Sequence, residues 1–362
     1  MAEQLNDFIK NESKGLGLVT AVSPANIAFI KYWGKSDKQQ QWPANSSLSM
    51  TLSKSVTKTS FAMNNTGFDQ FIFNNQLLTS KDQRDHKVFR HLQFLRDAMT
   101  SSGMEISQKF FTIKSENTFP MGCGIASSAS GFAALTTGFL AACTDSYQME
   151  QLELAGFNRT TIAKLALRGS GSAGRSISGG YIEWVKSTSP ECQSIEPFMA
   201  AKEWDLSDII IIASDKEKAV SSTDAHQYAW GSPLFSMRLS QIDEKLKFAK
   251  EALETRDLQK LGLLLEQEAL EMHAVALTGS TPVQYFNQKT IEIISWIRAE
   301  RLKGNLNAWF TLDAGPNIHL ICKASESKNI VKKIQLDWPQ QMIIEDRVGT
   351  GTQVYKYGEI YD

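Results

Sequence analysis

Two lysines and two aromatic residues stand together in the segment SPANIAFIKYWGKSD, residues 23–37. A buried strand disfavours the two charges of Lys31 and Lys35. A solvated loop disfavours the adjacent aromatic rings of Tyr32 and Trp33. Lysines interleaved with aromatic side chains suit the wall of a concave pocket for an anionic small molecule. This segment is therefore the first candidate for a binding site.

A glycine- and serine-rich segment, NTFPMGCGIASSAS, occupies residues 117–130. Gly122 and Gly124 permit a close approach of the backbone and positive φ angles, and a helical pattern follows the serines. Free backbone N–H groups at a helix N-terminus, with hydroxyl groups beside them, form a site suited to phosphate. The segment matches neither a Walker A loop nor the G-x-G-x-x-G dinucleotide fingerprint. A small-residue helix packed tightly on a sheet explains the same pattern without a ligand, and both interpretations stay open.

A second segment of this kind, RGSGSAGRSISGG, occupies residues 168–180. Ser170 and Ser172 alternate with glycines, and Arg175 follows with a guanidinium that could bind a carboxylate or a phosphate through two parallel hydrogen bonds. The alternative is a flexible glycine-serine linker. The strand-like sequence YIEWV that follows at once makes a linker the weaker interpretation.

Two shorter segments carry further polar groups. In TLDAGPN, Asp313 ends a strand-like run before a Gly-Pro turn. It is either a turn residue or a carboxylate at the rim of a site, able to act as a base or to orient a substrate. In KAVSSTDAH, Ser221, Ser222 and Thr223 could cap a helix or bind an anion, because both use the same geometry.

Composition argues against several classes of function. The 362 residues carry 38 basic and 39 acidic side chains, and a net charge of −1 argues against a general nucleic-acid binder. No apolar run is long enough to span a membrane, and the N-terminal sequence lacks a signal-peptide pattern. The four cysteines are scattered, which predicts reduced thiols in a cytoplasmic protein. Because neither cysteines nor histidines show metal-ligand spacing, we expect no metal held by protein ligands.

The polar segments are predicted to lie between the strands and helices of two α+β halves. In the first half the strand-like runs are LGLVTAVS, SLSMTLS, SVTKTSFAM, KFFTIKS and GGYIEWV, with FIFNNQLL as a hairpin. Helices are predicted over residues 82–101, GIASSASGFAALTTGFLAAC and RTTIAKLALRG. In the second half, long amphipathic helices are predicted over SPLFSMRLSQIDEKLKFAKEALE, DLQKLGLLLEQEALEMHAVAL and YFNQKTIEIISWIRAERLK, before a β-turn-β unit in NAWFTLDAGPNIHLICK. The change of pattern predicts two domains, residues 1–205 and 206–362.

Together the motifs resemble the diphosphomevalonate decarboxylases of the GHMP small-molecule kinase superfamily over nearly the whole chain. PANIAFIKYWGK is similar to the family's N-terminal substrate motif, NTFPMGCGIASSASGFAAL to its phosphate loop, and RGSGSAGRSISGGYIEW to its arginine-bearing loop. VSST, MHAVAL and TLDAGPN are similar to later family blocks and follow in the same order. Kinases of the superfamily share the glycine-serine loop, but not KYWGK combined with GSGSAxR.

The resemblance implies an α+β, two-domain GHMP-kinase-like fold. The N-terminal half would be a ribosomal-protein-like domain and the C-terminal half ferredoxin-like, with the active site in the cleft between them. The resemblance also implies the reaction. ATP phosphorylates the 3-hydroxyl of 5-diphosphomevalonate, and loss of that phosphate together with CO₂ gives isopentenyl diphosphate. The implied cofactors are ATP and Mg²⁺, the latter held mainly through the nucleotide, and the implied assembly is a homodimer.

The resemblance further implies a role for individual residues. Asp313 would orient or deprotonate the 3-hydroxyl, Lys31 would stabilise that carboxylate and the transferring phosphoryl group, and Arg175 would hold the substrate carboxylate. The residues implied to bind diphosphomevalonate are Tyr32, Trp33, Gly34, Lys35, Arg84, Ser170, Gly171, Ser172, Ala173, Gly174, Arg175 and Thr223. The residues implied to bind ATP are Asn117, Gly122, Gly124, Ile125, Ala126, Ser127 and Ser128.

Three alternatives stay open on the sequence. A phosphomevalonate decarboxylase would accept the monophosphate, although the positive charges of Arg84 and Lys35 favour a diphosphate. A mevalonate-type kinase would phosphorylate without decarboxylating, and a non-catalytic metabolite sensor would keep only the fold. The presence of Lys31, Arg175 and Asp313 together argues against the last two.

Overall fold

The computed structural model describes residues 19–37, 41–74, 76–106, 109–120, 127–189, 192–216 and 220–357. Within these ranges the strands are β1 Val19–Ile30, β2 Lys35–Asp37, β3 Trp42–Pro43, β4 Ser47–Asn64, β5 Gln70–Phe73, β6 Gln76–Thr79, β7 Phe110–Asn117, β8 Tyr181–Val185, β9 Ser194–Met199, β10 Leu206–Ile211, β11 Trp309–Thr311, β12 Ile318–Lys323, β13 Ile343–Arg347 and β14 Gln353–Lys356. The α-helices are α1 Lys87–Ser101, α2 Ser127–Cys143, α3 Met149–Leu154, α4 Arg159–Gly169, α5 Ser222–Tyr228, α6 Phe235–Ser240, α7 Ile242–Glu254, α8 Leu258–Leu277, α9 Gln288–Leu302 and α10 Ser327–Asp337.

Two sheets organise these elements. In the larger one, of eight described strands, β14, β1, β4, β7, β5 and β6 follow one another, while β8 pairs with β4 and β9 with β8. The smaller sheet has the order β11-β12-β10-β13, and β2 and β3 form a separate ribbon. Helix α2 packs on β1 and β4, and helix α8 packs on β11. The α+β class predicted from the sequence is confirmed.

Most elements lie where their patterns indicate. FIFNNQLL contains the antiparallel pair β5 and β6, and NAWFTLDAGPNIHLICK contains the antiparallel pair β11 and β12. RTTIAKLALRG forms α4 over its full length. Within GIASSASGFAALTTGFLAAC, the described residues Ser127–Cys143 form α2, which is buried on nearly every side. Such a helix packs closely on a sheet because its side chains are short.

Strand β4 differs from the prediction, which divided it into SLSMTLS and SVTKTSFAM. The polar residues between the two runs interrupt pairing with β1, and the register shifts there. The strand nevertheless continues because Asp346 supplies the missing acceptors. Its carboxylate accepts hydrogen bonds from the backbone N–H groups of Ser53, Lys54 and Ser55 at 2.6 to 2.9 Å. A side chain distant in sequence therefore joins two predicted strands into one.

Two predicted helices also have different limits. SPLFSMRLSQIDEKLKFAKEALE forms α6 and α7 instead of one helix, because the Gln241 N–H bonds the carbonyl of Arg238 three residues earlier and tightens the chain into a turn. The helix predicted from residue 82 begins at Lys87. The His86 side chain accepts a hydrogen bond from the Val88 N–H and caps it there.

A continuous apolar core joins the two halves. Ile27 and Phe29 of β1 share it with Leu261 and Leu265 of α8 and with Trp309 of β11. Because β1 belongs to the larger sheet and also packs against elements of the second half, the residues that follow β1 lie where the two halves meet.

Candidate active site

A cleft of 830 Å³ collects residues from both halves of the chain. Its lining includes the segment that follows β1, the N-terminus of α2, the segment after α4, the N-terminus of α5 and the turn after β11. Most of the candidates selected from the sequence lie in these five regions, while Asn117 lies at the end of β7 and Arg84 lies before α1. The fold therefore brings together motifs that are up to 282 residues apart.

Lys31 and Asp313 form an ion pair in the lining of this cleft. Lys31 directly follows β1, and its Nζ donates to the Ala28 carbonyl oxygen at 2.7 Å and to Asp313 Oδ1 at 2.8 Å. Asp313 lies in the turn between β11 and β12. The lysine side chain is 1% exposed and the aspartate side chain 22%, so the lysine is enclosed while the carboxylate reaches the open cleft.

Burial and neighbouring charges shift the pKa values of this pair. Burial alone would raise the pKa of Asp313, but the charge and hydrogen bond of Lys31, with the electrostatic effects of neighbouring groups, outweigh it and hold the pKa below its ordinary value. Burial lowers the pKa of Lys31, and the carboxylates of Asp313 and Glu268 offset part of that effect. Asp313 is therefore ionised at neutral pH and is a better hydrogen-bond acceptor than proton acceptor.

Arg175 brings a second buried cation to the cleft. It lies in the 3₁₀ turn Ala173–Ser176, is 3% exposed, and donates from Nη1 to Ser47 Oγ at 2.6 Å. Its Nε has no hydrogen-bond partner in the described part of the chain. Burial lowers its pKa to about 10, against the opposing effect of Asp313, so the guanidinium stays charged at neutral pH. A charged planar group with a free donor suits two-point binding of a carboxylate or phosphate.

The aromatic residues of the KYWGK motif pack on a histidine. The ring of His226, on α5, lies 4.4 Å from the Tyr32 ring and 4.7 Å from the Trp33 ring, between centroids. The Gly34 backbone N–H donates to His226 Nδ1 at 2.9 Å, which places the proton of a neutral ring on Nε2. Trp184 of β8 packs on Tyr32 with the centroids 4.8 Å apart. These contacts tie α5 to the segment after β1 and make a rigid aromatic wall.

Two positions near the aromatic wall require glycine. Gly34 has φ of +85°, and a Cβ there would lie 2.3 Å from Cζ of Phe235. A Cβ on Gly171 would lie 2.6 Å from the Tyr32 hydroxyl oxygen. Since contacts this short force a neighbour to move, both glycines permit a close approach of backbone to ring.

Hydroxyl groups from three segments line the cleft. Ser170 Oγ lies 3.4 Å from Ser128 Oγ and 3.3 Å from Ser172 Oγ, so the segment after α4 meets the first turn of α2. Ser221 caps α5 by accepting a hydrogen bond from the Asp224 N–H, as the capping interpretation predicts. Thr223 in the first turn of α5 also lines the cleft. The hydroxyl groups of the other serines and of Thr223 can donate hydrogen bonds to phosphate oxygens, while that of Ser221 already donates to the Asp224 carboxylate.

The structure brings together most of the predicted site residues. Those that line the cleft are Lys31, Tyr32, Trp33, Lys35, Asn117, Ser127, Ser128, Ser170, Gly171, Ser172, Arg175, Thr223 and Asp313. Gly34, Ala173 and Gly174 are not part of the lining; the last two are buried in the 3₁₀ turn that carries Arg175. Arg84 is exposed before α1 and lies outside the lining, to which His86 and Lys87 contribute. Gly122, Gly124, Ile125 and Ala126 lie outside the described residues.

Several contacts of the site were not anticipated from the sequence. Asn26, within β1, donates to Ser176 Oγ at 2.8 Å and to the Ser172 carbonyl oxygen at 3.2 Å, so it holds the arginine-bearing loop against the strand. His273 donates from Nε2 to the Asp313 carbonyl oxygen at 3.1 Å. Burial lowers its pKa to about 3, so it is neutral. The quoted motifs PANIAFI and MHAVAL contain both residues, but nothing in their spacing indicates these partners.

No group of three or more histidine, cysteine, aspartate or glutamate side chains in the described ranges could hold a metal ion. Among the described helices, none has the length and apolar character needed to cross a membrane.

Comparisons with known proteins agree on one family. The model of the diphosphomevalonate decarboxylase-like N-terminal domain matches residues 23–196, and that of the mevalonate 5-diphosphate decarboxylase C-terminal domain matches residues 208–357. Diphosphomevalonate decarboxylase of Debaryomyces hansenii is 33% identical over 310 residues, which cover 82% of this chain and 77% of the relative.

Solved structures give the same result. The mevalonate diphosphate decarboxylase of Staphylococcus aureus is 31% identical with a TM-score of 0.80, over 93% of this chain and 97% of that chain. A protein designated MDDEF, solved in complex with MVAPP, AMPPCP and magnesium, is 31% identical with a TM-score of 0.81, over 94% of this chain and 99% of that chain.

Proposed function

Because the chain belongs to the diphosphomevalonate decarboxylase family, we propose that it catalyses the ATP-dependent decarboxylation of (R)-5-diphosphomevalonate. The products are isopentenyl diphosphate, ADP, phosphate and CO₂, and the fold is the two-domain GHMP-kinase-like fold of that family. The observation that carries the proposal is the ion pair of Lys31 and Asp313 facing the same cleft as Arg175.

The first step is phosphoryl transfer to the tertiary 3-hydroxyl. The hydroxyl oxygen forms a bond to the γ-phosphorus while the bond from that phosphorus to the β,γ-bridging oxygen of ATP breaks. Asp313 accepts a hydrogen bond from the hydroxyl and orients it, a role that suits a carboxylate with a lowered pKa. Lys31 stabilises the negative charge near the transferring group. The hydroxyl proton leaves late in the transfer, when the oxygen is already bonded to phosphorus and has become strongly acidic, and it passes to the Asp313 carboxylate.

The second step converts the 3-phosphate into product. The C3–O bond breaks and phosphate leaves with the bonding electrons, so positive charge develops at C3. The bond between the carboxylate carbon and C2 breaks, and its electrons form the double bond between C2 and C3 as CO₂ departs. Arg175 is proposed to hold the substrate carboxylate in the geometry for this loss. Fixed charges in an enclosed cleft accelerate this step because they hold the substrate in the reactive geometry and stabilise the charges that develop.

The nucleotide would lie along the hydroxyl groups at the N-terminus of α2. Ser127 and Ser128 open this 17-residue helix, and Asn117 at the end of β7 lies in the same lining. Helix N-termini and hydroxyl donors stabilise phosphate. Magnesium bound to the nucleotide neutralises charge on the phosphates during transfer. The residues fit an ion held through ATP, because the described part of the chain offers oxygen donors but no cage of protein ligands.

The diphosphate group of the substrate is proposed to lie near Lys35, the segment Ser170–Gly174 and Thr223. Lys35, Ser170, Ser172 and Thr223 line the cleft, so this part of the proposal keeps its geometric support. Arg84 is exposed outside the lining, and its role depends on the family resemblance alone.

We also infer a domain boundary near residue 205, a cytoplasmic location and a homodimer. Light scattering after gel filtration tests the homodimer.

The test of the proposed function is an endpoint assay of the purified protein with ATP and Mg²⁺. It is run in parallel with 5-diphosphomevalonate, 5-phosphomevalonate and mevalonate, and ADP and CO₂ are measured separately. Equal amounts of ADP and CO₂ from the diphosphate alone are expected. The same pair from the monophosphate would assign the chain to phosphomevalonate decarboxylation, ADP without CO₂ would make it a kinase, and no ADP from any of the three would contradict catalysis.

A further inference from the structure

A buried ion network lies behind Lys31, among side chains that do not line the cleft. Glu268 of α8 is 0% exposed. Its Oε1 accepts a hydrogen bond from the Lys31 backbone N–H at 3.0 Å and another from Arg238 of α6. Its Oε2 accepts from Lys245 of α7 at 3.0 Å. Three helices of the second half therefore meet at one carboxylate that also touches the main chain of Lys31.

The same network holds the carbonyl group of Lys31. Arg238 Nη2 donates to the Lys31 carbonyl oxygen at 3.0 Å, and Asn45 Nδ2 donates to it at 2.9 Å. Since Lys31 lies just past the end of β1, side chains take over the hydrogen bonds that a sheet would otherwise supply. Both main-chain groups of Lys31 are fixed, and the Lys31 side chain starts from a rigid backbone.

The charges of the network balance. The carboxylate of Glu271, 28% exposed, shares Lys245 with Glu268 and has no described contact with Lys31. The three cations are Lys31, Arg238 and Lys245, and the three anions are Glu268, Glu271 and Asp313. Buried charges tolerate the loss of a partner poorly, because the remaining charge is left without compensation.

We propose that Glu268 is a positioning residue of the reaction, which holds the Lys31 main chain and keeps its ammonium group beside Asp313. This inference rests on the proposed function, since it assigns Glu268 an effect on turnover through Lys31. Glu268 does not touch the cleft, so its removal should affect the chemical step more than the binding of substrate.

The variant Glu268→Gln keeps the shape of the side chain and an acceptor for the Lys31 N–H, but it removes the negative charge. We expect kcat to fall about 10²-fold, as for a small displacement of a catalytic group, with KM for the substrate within about twofold. The loss of an anion beside Lys31 disfavours its charged form, so the alkaline limb of the kcat–pH profile should move to lower pH. The charged and titratable groups that face Lys31 are Asp313 and Arg175 in the cleft, Glu268 and His273 on α8, and Arg238 on α6, while Lys245 on α7 contacts Glu268.

A control variant lies two residues away on the same helix. Glu266 is 5% exposed and forms ion pairs with Arg298 and Arg301 of α9. Neither arginine belongs to the ion network around Lys31. Glu266→Gln should lower stability but leave kcat and the alkaline limb unchanged. Arg238→Lys keeps the positive charge but cannot bind both Glu268 and the Lys31 carbonyl oxygen. It should therefore lower kcat without moving the alkaline limb of the kcat–pH profile.

An NMR titration of the Lys31 ammonium in wild type and Glu268→Gln tests the inference without turnover. The ammonium of the variant should deprotonate at lower pH. An unchanged titration, or a loss of kcat no larger than that of Glu266→Gln, overturns the inference. A wild-type protein that releases no CO₂ refutes the proposed function, while the titration still decides the role of Glu268. If Glu268→Gln does not fold, kcat of Arg238→Lys decides, and an unchanged value overturns the inference.

Discussion

The substitution Asp313→Asn removes one charge from the Lys31 pair and changes the shape of the side chain little. The charge-assisted hydrogen bond of 2.8 Å contributes about 1.5–3 kcal/mol to stability. Because Asp313 is 22% exposed and Glu268 stays near Lys31, we expect the lower end, a loss of about 1.5 kcal/mol in the free energy of unfolding. Turnover should fall by about 10²- to 10⁴-fold, which corresponds to about 3–5 kcal/mol in the barrier.

Asp346→Asn is the matched control, in the same half of the chain. Asp346 is 3% exposed, does not line the cleft, and accepts hydrogen bonds from four backbone N–H groups. An amide there keeps one acceptor oxygen and turns an NH₂ group toward a backbone donor. We expect the larger loss of stability, about 3 kcal/mol, with kcat per folded molecule unchanged.

Urea unfolding gives the stability of both variants, and simultaneous measurement of ADP and CO₂ gives their turnover. The two substitutions should separate the effects: Asp313→Asn loses mostly activity, and Asp346→Asn loses mostly stability. Turnover of Asp313→Asn within tenfold of wild type, at unchanged substrate affinity, would refute the role of Asp313. A similar loss of turnover in both variants would show that the effect comes from folding and not from chemistry.

Three further predictions concern the same cleft. Arg175→Lys should lose about 10²-fold in CO₂ release although the charge is kept, because an ammonium cannot replace the planar two-point donor; full activity would contradict a carboxylate clamp. Gly171→Ala should raise KM and lower stability by about 1–3 kcal/mol, because the new methyl group displaces the Tyr32 ring; unchanged kinetics would show that the ring moves freely. Folding lowers the pKa of Asp313, so the ionised carboxylate stabilises the folded state at pH values above the ordinary pKa of an aspartate. This contribution is lost as the pH falls through the lower pKa that Asp313 has in the folded state. The difference in unfolding free energy between wild type and Asp313→Asn should therefore shrink between about pH 7 and about pH 3, as urea unfolding at both values would show.

Local sequence patterns predict the elements that carry the site, and the patterns together with the family resemblance select residues of which most described members line the cleft. The buried helix α2, the helix α4 and the β11–β12 unit follow from small-residue content, helical spacing and a Gly-Pro turn. The roles of Lys31, Asp313 and Arg175 came from the family resemblance, because spacing alone leaves Asp313 as a possible turn residue. The structure adds that Lys31 and Asp313 form an ion pair across 282 positions of the chain.

The network behind Lys31 could not be predicted from the sequence. Glu266 and Glu268 in LLLEQEALEMH belong to a residue type that is mostly exposed in proteins, yet both are buried. Their partners come from other helices, so no local pattern indicates them. The break at Gln241 is also missed, because the helical pattern of the sequence continues across it.

The pairing of β14 with β1 has a consequence for synthesis on the ribosome. Residues 353–356 supply one neighbour of β1, yet they are made more than three hundred residues after it. The first half can fold its other strands earlier, as domains generally do during translation, but until β14 emerges the Val19–Val22 edge has no partner on that side. Unpaired edges invite association with other chains. A fragment that ends near residue 205 would keep this edge open permanently, so we expect the first half, expressed alone, to aggregate more slowly when a peptide carrying the β14 sequence is supplied.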